Sequence, residues 1–143
     1  MDLQKPATVL HYWQRADSFY RAARDLEQLD PPMYAPAIGL LAVHACIALA
    51  DAVLVGVGER LAKADNHGEA ARRLRDFCSA KRVEDSGIKH FEWLLSNKTH
   101  FSYGESAVDP EQLLSGKVKM DQFFKWAFQT FPDVAKIEET DHA

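Results

Sequence analysis

Cysteine is scarce in this chain of 143 residues: only Cys46 and Cys78 occur, far apart and each within an apolar helical pattern. That excludes a disulfide framework and a Cys-x-x-Cys metal or redox site, and it is the pattern of reduced, buried thiols, so a cytoplasmic protein is expected. Positive charge is also short. With 17 Lys and Arg against 21 Asp and Glu the formal net charge is −4, so any attraction to nucleic acid must be local rather than spread over the surface. The opening MDLQKPATVLHYW has neither the basic nor the apolar region of a secretory signal. No HExxH, P-loop or GxGxxG pattern occurs, and no two helices share the Glu-x-x-His repeat that a di-iron bundle needs. Neither a metal nor a cofactor is expected.

Strand-type alternation is absent too, and nearly every segment has helical period. Leu10, Trp13, Phe19, Ala23 and Leu26 recur at helical steps between Thr8 and Leu29, and Asp30, Pro31 and Pro32 stop that helix. A second helix is expected with Pro36 in its first turn, running to about Lys63. Its apolar stretch, Ala35 to Gly58, is interrupted by His44 and Asp51, which argues for a core helix rather than a membrane span. After a turn over Ala64 to Gly68, a third helix from Glu69 to about Lys81 presents Ala70, Leu74, Phe77 and Cys78 to the core. Ser86 is read as the cap of a fourth, carrying Ile88, Phe91, Trp93, Leu94 and Leu95. Asp109 and Pro110 open a fifth, with Leu113, Val118, Phe123, Phe124, Trp126, Phe128 and Phe131 as its apolar set. Gly116 either bends or splits it, and Pro132 ends it. The expectation is one all-α domain, residues 1–143, a bundle of about five helices with frayed ends at 1–7 and 133–143.

Polar residues inside these patterns are the candidates for function. His44 and Asp51 lie seven residues apart on one face of the apolar second helix, with Ala48 between them, and each needs a partner or a wet cavity. Their ordinary role would be to fix helix register; the alternative is that the stripe lies behind a site. Lys98 follows Leu94 by four residues and Phe91 by seven, on the apolar face of the fourth helix, so it either snorkels outward or pairs with a carboxylate such as Asp51. Tyr103 sits about 140° around from Lys98 and can approach it only if the helix unwinds near Gly104 or a second subunit supplies one of the two. His100 points to the other side of the helix. The run RRLRDFCSAKR, Arg72 to Arg82, carries five positive charges against Asp76 alone, and such a run is ordinarily a solvated helix face.

Three segments together resemble the HEPN superfamily: the long helix LLAVHACIALADAVL, the H-x-x-A turn at His67 to Ala70, and LLSNKTHFSYGE before an aromatic last helix. The resemblance implies a small helical bundle with a four-helix core, often dimeric, found among metal-independent ribonucleases, in toxin–antitoxin systems and beside minimal nucleotidyltransferases. The family's Arg position falls on Lys98 and its His position on Tyr103. Lysine lacks the bidentate fork for phosphate, and tyrosine is a poor base at neutral pH. The resemblance therefore implies a module that binds RNA, a nucleotide or a protein partner without efficient nuclease activity, as a homodimer with Lys98 and Tyr103 near the interface and with no membrane partner. An active ribonuclease using Lys98 with His100 or Tyr103 is the first alternative, and a purely structural or small-ligand bundle the second. Asn97, His44 and Asp51 are the candidate binding residues beside them.

Overall fold

The computed structural model describes residues 5–61 and 66–134, and five α-helices account for most of them, with no strand among the described residues. α1 (Pro6–Leu29) and α2 (Pro31–Gly56) meet at Asp30 without a loop. The Asp30 side chain accepts the Met33 N–H at 3.2 Å, and Pro31 and Pro32 occupy the first helical positions, where a missing N–H leaves no bond unmade. The Asp-Pro-Pro stop is therefore also a start, and α2 begins five residues before Pro36. Pro36 lies inside the helix, close enough to its exposed end for solvent to reach the carbonyl it leaves free.

α2 ends at Gly56, short of the expected Lys63, which lies outside the described residues. The cause is Gly58, held at φ 84: its N–H reaches the Val55 carbonyl and the Glu59 N–H reaches Leu54, which closes the helix in a Schellman turn. α3 (His67–Lys81) is capped by Asn66 and ends in the same way, but with Arg82 in the left-handed position, φ 55. α4 (Ile88–Tyr103) begins after Gly87, not with a Ser86 cap. A side chain at Gly87 would overlap Trp126, whose indole N–H donates to the Glu84 carbonyl at 2.9 Å. α5 (Pro110–Thr130) opens with a capping box between Asp109 and Gln112 and runs unbroken through Gly116, so that glycine does not split it. Val118, expected in the core, is 42% exposed. Of the ends expected to fray, Pro6 and Ala7 are helical and Val134 is buried, while residues 1–4 and 135–143 lie outside the described residues.

α2 is the axis of the molecule. Sixteen of its 26 residues are buried, and it packs against each of the other four helices. α1, α2, α4 and α5 alternate in direction around the core, with the shorter α3 lying against α2 and α4. Aromatic pairs fill the joints: Phe91 stacks on Phe123 at 5.0 Å between α4 and α5, and Trp13 meets Phe128 edge-on at 5.1 Å between α1 and α5. By length and composition α2 could cross a membrane, yet 78% of its most apolar stretch is buried by its neighbours. Cys46 and Cys78 are free and buried, and burial pushes both thiols up, Cys78 to about 11.

Candidate functional site

Where the first half of α2 crosses the last turns of α4, an open cavity of about 410 Å³ is lined by Pro36, Ala37, Leu40, His44, Lys98, Phe101, Ser102 and Tyr103. Phe101 sets the approach of the two helices. Its ring lies where a side chain on Gly39 would stand, 2.4 Å from that position, so only glycine admits it, and it is buried. With Phe101 seated, Lys98 one turn earlier and Ser102 beside it both face α2.

Three candidates from the sequence, Lys98, His44 and Tyr103, line this one cavity. α4 stays helical through Tyr103, so no unwinding brings Lys98 and Tyr103 to its wall; Tyr103 does so from the last turn, 85% exposed. Among the described residues no carboxylate lies within ion-pair distance of Lys98, and none lines the cavity. The polar wall is one ammonium, one imidazole and two hydroxyls. Burial, then the nearby charges of Lys98 and His67, hold His44 below the ordinary histidine pKa. Phe19 covers the same ring from α1 at 5.8 Å.

The other candidates lie elsewhere. Asp51 does not pair with Lys98; its electrostatic neighbour is Arg15 on α1, and burial outweighs that attraction to raise its pKa to about 6. The Asn97 amide donates to the Trp93 carbonyl at 2.9 Å, within its own helix. His100 Nε2 lies 3.0 Å from Gln112 Oε1, the same oxygen that accepts the Asp109 N–H, so this imidazole ties the end of α4 to the capping box of α5. Sequence reasoning missed Ser102 and the ledge of Pro36, Ala37 and Leu40, although Ser102 stands one helical turn after Lys98 and could have been found by that spacing.

Much of the basic run on α3 is neutralised. Arg72 and Arg73 share Glu69, and Arg75 holds Glu92 and Asp85. A smaller groove of about 320 Å³ between α1 and α5 has aromatic walls, Trp13, Tyr20, Phe124 and Phe128. Its acids are occupied: Asp121 accepts from Tyr20 at 2.7 Å and pairs with Arg24, and Asp17 pairs with Arg21. Lys125 on that groove is, like Lys98, without an ion pair among the described residues, but Asp17 and Asp121 share its wall, whereas no carboxylate lines the α2/α4 cavity. Among the described residues no group of three or more His, Cys, Asp or Glu could hold a metal ion. Compared with protein-family models, curated proteins and solved structures, the chain matches none.

Proposed function

We propose that this protein is a HEPN-like module that binds RNA or a nucleotide through the α2/α4 cavity, without efficient nuclease activity. The observation that carries the reading is Lys98: a half-buried lysine with no carboxylate within ion-pair distance among the described residues, in a chain of net charge −4, beside an imidazole and two hydroxyls. Such a wall favours an anion, and phosphate is the anion whose esters carry the flat, apolar groups that Pro36, Leu40 and Tyr103 can receive. Low nuclease activity follows from His100, whose ring is engaged by Gln112 away from Lys98.

A homodimer is part of the proposal. Apart from Tyr103 on the cavity wall, the exposed large apolar side chains Leu29, Met33, Leu114 and Val118 come from the end of α1, the start of α2 and the first half of α5. Those helix ends meet at one end of the bundle, where Lys117 also reaches Glu27. A nucleotidyltransferase or an antitoxin is a further partner of the kind the resemblance suggests.

A metal-independent ribonuclease remains the second reading, favoured by His44, which burial keeps largely unprotonated at neutral pH beside Lys98 and thus able to act as a base. Single-stranded RNA, labelled and titrated with protein in excess chelator, tests both. Binding that Lys98→Ala weakens about tenfold or more, with the RNA intact, supports the module. Cleavage lost in both Lys98→Ala and His44→Ala overturns it in favour of the ribonuclease, and binding unaffected by Lys98→Ala removes the cavity from either.

A further inference from the structure

We propose that the α2/α4 cavity recognises the terminal phosphomonoester of a nucleotide, free of metal, with the phosphate on Lys98 and Ser102, the base laid against Tyr103, and His44 as a second cation that takes up a proton when the phosphate arrives. This rests on the nucleotide-binding reading above and names its ligand more closely.

Charge decides between classes of phosphate. A nucleoside triphosphate carries about four negative charges and travels with magnesium, which needs oxygen ligands such as carboxylates. Among the described residues the cavity wall offers no carboxylate and one permanent cation, Lys98. An internal phosphodiester has a single charge, which Lys98 alone would balance and which gives His44 no part. A phosphomonoester has a second ionisation near pH 6, and the cavity has a second basic group to meet it. The volume of about 410 Å³ suits one nucleotide rather than a length of strand.

His44 is placed to respond. Lys98 faces it from α4, His67 from α3 and the uncharged ring of Phe19 from α1, while on α2 itself the nearest acid, Asp51, is two helical turns away. Burial and the nearby Lys98 hold the imidazole below its ordinary pKa before the ligand binds, and a dianion at Lys98 reverses the local potential. Binding is then linked to uptake of a proton, and affinity rises as pH falls. The other end of the ligand meets apolar surface. Pro36, Ala37 and Leu40 form a ledge on α2, and the Tyr103 ring, 85% exposed, stands free to stack.

The ligand can be a free nucleoside monophosphate or the phosphorylated end of a strand. Calorimetric titrations in chelator with AMP, adenosine, inorganic phosphate, and a short oligoadenylate with and without its 5′-phosphate separate them. The expected result is binding of AMP, of the phosphorylated oligomer, or of both, each about tenfold or more tighter than its unphosphorylated counterpart. AMP alone would mark the free nucleotide as the source, and the oligomer alone the strand end. Lys98→Ala should abolish binding. Tyr103→Ala, at an exposed position that leaves the fold intact, should weaken AMP several-fold while sparing inorganic phosphate. Affinity should fall between pH 6 and pH 8, with proton uptake visible as a heat that depends on the buffer. Oligomers that bind equally with and without the 5′-phosphate, still through Lys98, overturn the monoester while leaving nucleic-acid binding in place. No binding of any ligand overturns both.

Discussion

Burial raises the Asp51 carboxyl to a pKa of about 6, against an ordinary value of 3.8, because the apolar packing around α2 disfavours its charge more than Arg15 favours it. An acid whose pKa rises on folding gives its full contribution to stability below the unfolded value and loses it as pH climbs through the folded one. Stability from this group therefore falls between about pH 4 and pH 6 and stays low above. The roughly two-unit shift corresponds to about 2–3 kcal/mol. Asp51→Asn, which keeps the shape and removes the charge, should stabilise the protein by up to that amount at pH 7.5 and by much less at pH 4.5, read from urea unfolding at both values. An advantage that does not grow with pH would contradict the assignment. His44, on the same stripe of α2, shifts in the opposite direction for the same reason, since burial opposes a positive charge as it opposes a negative one.

Single positions also control how helices meet and end. Gly39 and Gly116 both face Phe101, yet they differ in what they permit. A side chain on Gly39 would stand 2.4 Å from the Phe101 ring, whereas one on Gly116 would meet it at 3.5 Å, an ordinary contact. Gly39→Ala should therefore cost about 1–3 kcal/mol and disturb the cavity, while Gly116→Ala should gain about 0.5–1 kcal/mol by stiffening α5. Thermal unfolding of the two variants side by side checks the opposite signs. Arg82 holds a left-handed turn, φ 55, in the place Gly58 fills after α2. Arg82→Gly should stabilise the end of α3 by about 1 kcal/mol, and an unchanged or lower unfolding temperature would count against that.

The same elements explain what the sequence discloses. Helical period and the Asp109–Pro110 cap place five helices and the core set of α3, because those signals are local. The start of α2 was missed because Pro31 and Pro32 break one helix and open the next at once, and its end because Gly58 acts through a positive φ that no pattern of apolar residues announces. Val118 keeps the helical spacing but falls on the outer flank of α5, which is decided by how that helix packs rather than by its own sequence.

The helix ends that carry the exposed Leu29, Met33, Leu114 and Val118 meet at one end of the bundle. If the dimer buries that end, sedimentation at micromolar concentration should show a dimer that Met33→Glu dissociates, and a wild-type monomer at high concentration would remove this part of the proposal. The site was legible from sequence in part. Lys98, His44 and Tyr103 each looked out of place in an apolar pattern, but that they share one cavity depends on how α4 crosses α2. The diversion of His100 to Gln112 depends on α5.

Chemical-shift mapping of the labelled protein, titrated with a nucleotide or an RNA, shows whether the α2/α4 cavity holds the ligand's phosphate. Saturable shifts are expected at His44, Lys98, Ser102 and Tyr103, with a downfield move of the His44 ring signals as it gains a proton. Shifts confined to the α1/α5 groove or to the exposed end of α3, with the cavity silent, would contradict it.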